Sequence, residues 1–328
     1  MHSESNLDNI DRKLLNLIQA EFPLNERPYT ELGLRLGIDG SEIIQRIEQF
    51  KQKGLIRQIS PVVDSRSLGY ESTLAAMRVE KEHLAEAERI ISEHPGVSHG
   101  YERDHYFNVW FTLATAPEAD IEAEFRRLVS PIQAAAAFTL PAIKLFKINV
   151  YFDMTGDGNG THPTHQNTLF RKIALSETEK TVLKELQQDL PLVPSPFTVM
   201  AANLDMDVAD FLARCQSLLE RGAIRRYGAS LNHRRAGFTA NAMVCWAAPP
   251  DMVDTVGQKL ASLQEVSHCY ERRTNPLWRH NLFAMVHSHT KEACQEIAER
   301  VSHEVRLNDY LTLFSTREFK KTRVKYQA

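Results

Sequence analysis

The chain has 328 residues, room for two domains of ordinary size, and its 43% hydrophobic and 25% charged residues suit a globular protein with a full core. Its 39 basic and 42 acidic residues leave a formal charge of −3, which excludes a strongly basic nucleic-acid binder but not a local basic patch. No apolar run approaches the ~20 residues that cross a bilayer, and Met1 to Arg12 hold acids with no apolar signal core, so a cytoplasmic protein without membrane contact is expected.

Residues 8–20 place Ile10, Leu14, Leu15, Leu17 and Ile18 at helical spacing behind Asp8, a natural N-cap. Two short helices are predicted at 28–36 and 40–53, with Gly37-Ile38-Asp39-Gly40-Ser41 as the tight turn between them. A strand from Leu55 to Val63 then completes a winged helix-turn-helix over residues 1–64. Over residues 65–154 the pattern changes. Strands are predicted at Tyr70–Val79, Val97–Arg103, Tyr106–Ala114 and Ile143–Phe152, with helices at Leu84–Glu93 and 118–129. This β-α-β-β-α-β order is ferredoxin-like, an antiparallel sheet with both helices on one face. Residues 155–170, rich in Gly and polar side chains, read as a linker. The winged pattern returns at 171–230, with helices at 177–188, 196–203 and 207–221 and a strand from Ala223 to Ser230; a second ferredoxin-like domain fills 231–328.

The two halves are copies. A shift of 168 lays Pro23 on Pro191, Gly54 on Gly222, Arg57 on Arg225 and Gly69 on Gly237. A shift of 169 lays Ser98-His99-Gly100-Tyr101-Glu102-Arg103 on Ser267-His268-Cys269-Tyr270-Glu271-Arg272, and a shift of 173 lays Phe146-Lys147 on Phe319-Lys320. The expected fold is therefore α+β, a tandem repeat of winged helix-turn-helix plus ferredoxin-like domain. This is the layout that the Lrp/AsnC regulators show. The two modules of one chain are expected to pair as a pseudo-dimer, with further dimerisation of whole chains.

A recognition helix that reads DNA offers Arg, Lys, Asn or Gln near its N-terminus. Here residues 38–50 hold Asp39, Glu42 and Glu48 against Arg46, and residues 205–221 hold Asp205, Asp207, Asp210 and Glu220 against Arg214 and Arg221, each a balance of −2. Acids there repel phosphate, so no DNA partner is expected. Cys215, Cys245, Cys269 and Cys294 form no close pair, which argues for free thiols and no metal site.

The polar residues concentrate in the ferredoxin-like domains. His99, Tyr101, Arg103 and His105 alternate, and on a strand alternate residues share a face. His268, Tyr270 and Arg272 repeat the set, with Trp278 and His280 in a longer second hairpin. A basic cluster, Arg225-Arg226 then His233-Arg234-Arg235, lies where the wing strand enters the sheet, with Arg57 as its counterpart. Arginine forks bind carboxylates bidentately, so a polyanionic ligand is indicated.

These same residues carry a closer resemblance. Ser72-Thr73-Leu74-Ala75-Ala76-Met77, with the run from His99 through His105 and Asn108 to Trp110-Phe111-Thr112, resembles one subunit type of the siroheme decarboxylases. The second half, with Arg225 through Asn232-His233, Ala240 through Val244, Ser267-His268-Cys269-Tyr270 and Asn281 through His287, is similar to the other type. The resemblance covers nearly the whole chain; Glu271-Arg272-Arg273-Thr274-Asn275-Pro276 is more charged than the family pattern.

The resemblance implies loss of carbon dioxide from two acetate side chains of siroheme, giving didecarboxysiroheme in haem biosynthesis. Siroheme carries eight carboxylates, which Arg57, Arg103, Arg225, Arg226, Arg272 and His233 would hold. Each lost carbon dioxide leaves a carbanion that the macrocycle delocalises, so no cofactor is required beyond the substrate's own iron. The proton donors implied are His99, His105, His268 and His280, with Tyr101 and Tyr270 as alternatives; an imidazole can equally ligate the siroheme iron. Trp110 and Trp278 would exclude water. Because the two hairpins differ, two diverged pockets are expected, one of them the principal catalytic site. Two other readings compete, an Lrp/AsnC-like DNA-binding regulator and a haem-binding sensor.

Overall fold

Local capping chemistry sets the helix starts. In the computed structural model, which describes residues 7–148, 151, 153–155, 172–232 and 240–322, α1 (Asn9–Ala20) opens with a capping box in which Asp8 and Asp11 answer each other's backbone N–H. α2 (Pro28–Leu36) begins on its proline and stops at Gly37, whose φ of 72° is the left-handed cap that glycine favours. Asp39 then caps α3 (Gly40–Gln52), and β1 (Ile56–Val63) follows.

The second winged unit repeats this with α6 (Glu177–Leu186), α7 (Pro196–Ala202), α8 (Val208–Glu220) and β6 (Ile224–Leu231). The two units share one hydrophobic core, in which Leu14, Ile18, Phe22 and Tyr29 meet Phe197, Phe211 and Tyr227. β1 and β6 pair antiparallel, Ile56 opposite Leu231 and Val63 opposite Ile224. The contact is close: a Cβ on Gly228 would stand 2.7 Å from the Ile18 carbonyl oxygen, so only glycine fits there.

Eight further strands make the rest of the scaffold. The first module contributes β2 (Glu71–Arg78), β3 (Val97–Arg103), β4 (Val109–Thr115) and β5 (Ala136–Ile148), with α4 (Leu84–Glu93) and α5 (Ile121–Val129). The second contributes β7 (Ala240–Trp246), β8 (Val266–Arg272), β9 (Leu282–Ser288) and β10 (Tyr310–Lys321), with α9 (Val253–Ser262) and α10 (Lys291–Val305). Within each module the strand order is β3-β4-β2-β5 or β8-β9-β7-β10, the ferredoxin-like order.

The last strand of each module does double duty. β5 pairs with β2 along Ala136–Pro141 and with β8 along Ala142–Ile148. β10 pairs with β7 along Tyr310–Phe314 and with β3 from Ser315 to Lys321. The two sheets thereby close into one eight-stranded barrel. Helices α4 and α5 pack on the outside of one half, over Ile91, Phe111 and Phe125, and α9 and α10 on the other, over Val256, Trp246 and Ala298. One end of the interior is plugged by Phe107, Trp110, Phe138, Trp278 and Phe283; Trp110 and Trp278 meet edge-on at 5.0 Å.

Two expectations are corrected. The closing strand expected at Ile143–Phe152 begins at Ala136, because the Ala-rich segment up to Pro141 already pairs with β2 before the strand passes to β8. The strand expected from Tyr106 begins at Val109: Asn108 ties its side chain to the backbone N–H and carbonyl of Val79, and residues 104–107 form the turn. The expected pairing of modules is met inside one chain. The inward faces that would pair with another copy are used up, so a homodimer of fused chains would have to use another surface. The linker beyond Thr155 lies outside the described residues. The four cysteines are free and buried, and among the described residues no helix is long and apolar enough to cross a membrane.

Candidate active site

Between the aromatic plug and the paired winged units lies a cavity of about 360 Å³. Both modules line it. β3 points His99, Tyr101 and Arg103 inward by strand alternation, and β8 does the same with His268, Tyr270 and Arg272. Ser65, Arg66, Arg225 and Leu231 close it from the winged side, and Leu74, Trp110, Met243, Phe283 and Met285 form apolar walls.

The two half-sites match atom for atom in several places. His99 Nδ1 lies 2.9 Å from Ser98 Oγ, and His268 Nδ1 lies 2.8 Å from Ser267 Oγ. The Arg103 guanidinium lies over the Tyr101 ring at 5.4 Å, and that of Arg272 over the Tyr270 ring at 4.7 Å. Arg103 Nη1 donates to the Leu313 carbonyl at 2.9 Å, and Arg272 Nη1 to the Leu140 carbonyl at 2.8 Å. Each bond therefore anchors an arginine of one module on the last strand of the other. Both Nε atoms are buried without a hydrogen-bond partner, and among the described residues neither arginine has a carboxylate partner. Arg225 differs: it pairs with Asp64 at 3.0 Å.

Such a cavity favours anions. Loss of solvation, then the charges of Lys321 and Arg57, bring the His99 pKa down to about 4. Loss of solvation, then His287, His99, Arg225 and Arg272, bring His268 down to about 3. Burial also lowers Arg103 and Arg272 to about 10, and raises the Tyr270 phenol. Both imidazoles are therefore neutral at pH 7. Below the ordinary histidine value of 6.5 the unfolded chain takes up protons that these two side chains refuse until about pH 4 and 3. Stability present above pH 6.5 is therefore lost as pH falls through that window. We expect the thermal midpoint of a His99→Gln, His268→Gln double variant to fall less steeply than the wild type's between pH 6.5 and 4. Identical slopes would contradict these assignments.

Of the residues singled out from sequence, the cavity gathers His99, Tyr101, Arg103, Trp110, Arg225, His268, Tyr270 and Arg272. Others lie elsewhere. His105 and His280 sit beyond the aromatic plug, each ring against Trp278 at 5.5 and 5.3 Å. His105 Nδ1 accepts from the Phe107 N–H, and His280 Nε2 meets Asp309 at 3.1 Å. Trp278 belongs to the plug and not to the cavity wall. Arg226, next to Arg225 and so on the opposite strand face, donates to the Gln19 carbonyl. Arg57 is outside the lining; it reaches the Lys321 carbonyl at 3.5 Å and acts on His99 through its charge. His233 lies outside the described residues. The two diverged pockets expected from the hairpins are one shared cavity, because the sheets face each other. Sequence reasoning missed Arg66, Lys321, Ser98 and His287 as lining residues, and Ser267 as the buried hydroxyl behind His268. The serine repeated before each histidine was the available signal for Ser98 and Ser267.

Fold and cavity together define a class: two AsnC-like modules fused on one chain, whose facing sheets enclose a cationic, histidine-bearing chamber. Residues 67–147 and 235–320 match the AsnC-like ligand binding domain, and residues 11–57 and 179–225 match the siroheme decarboxylase NirDL-like HTH domain. The chain is 40% identical to the siroheme decarboxylase of Hydrogenobacter thermophilus over 319 residues, 96% of this chain and 94% of that protein. It is 43% identical over 151 residues to the siroheme decarboxylase beta subunit of Methanosarcina barkeri, 46% of this chain and 99% of that subunit. The crystal structure of the siroheme decarboxylase NirDL in co-complex with an iron-uroporphyrin III analogue superposes with a TM-score of 0.75 at 36% identity, covering 98% of this chain and 95% of that one. The chain belongs to the siroheme decarboxylase family, a family of carboxy-lyases.

Proposed function

We propose that this protein removes carbon dioxide from two acetate side chains of siroheme, giving didecarboxysiroheme. The observation that carries the proposal is the facing pair of His-Tyr-Arg half-sites in one chamber with Arg66, Arg225 and Lys321 at its walls. A polycarboxylate supplies what Arg103 and Arg272 lack, an acceptor for the buried Nε. Apolar walls at Leu74, Trp110, Met243 and Phe283 favour departure of an uncharged product from a charged carboxylate. The macrocycle delocalises the electron pair left on the methylene carbon, so the chemistry asks the protein only for positioning and a proton.

His99 and His268 supply that proton. They are neutral without substrate, and incoming carboxylates favour a charged imidazole in the chamber that also holds His287, so substrate binding takes up protons on the chamber's histidines. The neutral form is also the one that can ligate iron, which enters as part of the substrate. Anaerobic incubation with siroheme, followed by product mass, tests the proposal: loss of two carbon dioxide units supports it, and unchanged siroheme refutes it.

The winged units serve as scaffold in this reading. Arg46 on α3 is held by Glu42, Asp8 and Asp11, and Arg214 on α8 by Asp210, so the cations of both recognition helices are already paired. We expect no sequence-specific DNA binding at physiological salt. Salt-sensitive nanomolar binding in an anisotropy titration would overturn that expectation.

A further inference from the structure

The two half-sites are not equivalent one step behind the histidines. Ser267 Oγ, 2.8 Å from His268 Nδ1, is also 2.8 Å from His287 Nε2. Its approach to the Met285 carbonyl at 3.5 Å is too long to compete. The register fixes the counterpart of His287: it faces Asn241 across β7 and β9, as Ala114 faces Ser72 across β2 and β4. The first half-site thus has Ser98 on His99 and a methyl group where the second has an imidazole.

A serine hydroxyl between two ring nitrogens has one proton to give and must accept from the other side. The proton positions on His268 and His287 are therefore coupled through Ser267. We propose that His287 is a positioning residue that relays a proton through Ser267 to His268, so that one of the two half-sites is reloaded by a built-in chain and the other is not. The inference rests on the decarboxylation reading. In the step, the bond to the departing carboxylate breaks and its electron pair stays on the methylene carbon. A C–H bond forms with the proton on His268 Nε2. His268 Nδ1 takes the Ser267 hydroxyl proton, Ser267 takes the proton on His287 Nε2, and the His287 imidazolium becomes neutral.

The test is single-turnover decarboxylation of saturating siroheme, resolving the singly and doubly decarboxylated products by mass. Wild type, His287→Ala, His287→Gln and Ser267→Ala are compared, with folding checked by circular dichroism and siroheme affinity by absorbance. In His287→Ala one carbon dioxide loss keeps its wild-type rate and the other slows about tenfold or more. The singly decarboxylated species accumulates, affinity is unchanged, and added imidazole restores the rate. His287→Gln can hold Ser267 by a hydrogen bond but cannot pass a proton, and it stays slow. Ser267→Ala breaks the same chain by one oxygen and gives the same pattern even where His287→Ala misfolds. Wild-type rates for both losses in these variants, equal slowing of both losses, or full rescue by glutamine would each overturn the relay. An inactive wild type would overturn the decarboxylation reading and the relay with it, whereas an active wild type with unaffected variants overturns the relay alone.

Discussion

Replacing His99 or His268 by alanine lowers the rate of siroheme decarboxylation by about 10²–10⁴, the range lost with a general acid. Both substitutions are costly because both imidazoles open into the same chamber, each on a strand that also holds a tyrosine and an arginine against the substrate space. His105→Ala and His280→Ala leave the rate within a few-fold of wild type. Their rings pack on Trp278, on the far side of the aromatic plug, and their nitrogens are engaged by the Phe107 N–H and by Asp309. Rapid-quench kinetics on the four variants decides the matter. A large loss at only one of His99 and His268 would favour a single catalytic half-site.

Arg103→Met and Arg272→Met each weaken siroheme binding by about 1.5–3 kcal/mol, the contribution of a charge-assisted hydrogen bond, or roughly 10- to 150-fold in Kd. The ligand-free protein is expected to tolerate these changes, with an unchanged or raised Tm. Each guanidinium is held in the chamber by one carbonyl bond and one tyrosine face, with no carboxylate beside it among the described residues. Replacing an uncompensated buried charge by an apolar chain of similar length is often neutral or stabilising. Binding isotherms and thermal melts on the same samples separate the two effects. Unchanged affinity would contradict the assignment of these arginines to the substrate.

The repeat made much of this legible in advance. Identical residues at fixed offsets exposed two copies, and period-two alternation put His99, Tyr101 and Arg103 on one face, as it did their counterparts. The same rule failed at His105, because alternation holds only while the strand lasts. β3 ends at Arg103, and the turn bonds from the His105 N–H to the Arg103 carbonyl and from the Arg103 N–H to the Asn108 carbonyl rotate the chain away. Closure of the barrel was not legible. It depends on β5 and β10 each changing partner midway, and no local pattern encodes which distant strand a long segment meets in its second half. Without closure, two histidine sets read as two pockets. His287 escaped notice for a related reason: it is significant only beside Ser267, twenty residues away, and that neighbourhood is created by the pairing of β8 with β9.

The most direct check on the shared chamber is stoichiometry. An anaerobic titration of the protein with siroheme, followed by the tetrapyrrole absorbance and sampled for product mass, is predicted to saturate at one siroheme per chain, with both carbon dioxide units leaving from that one bound molecule. Saturation at two per chain, each losing carbon dioxide independently, would contradict a single site built from both modules.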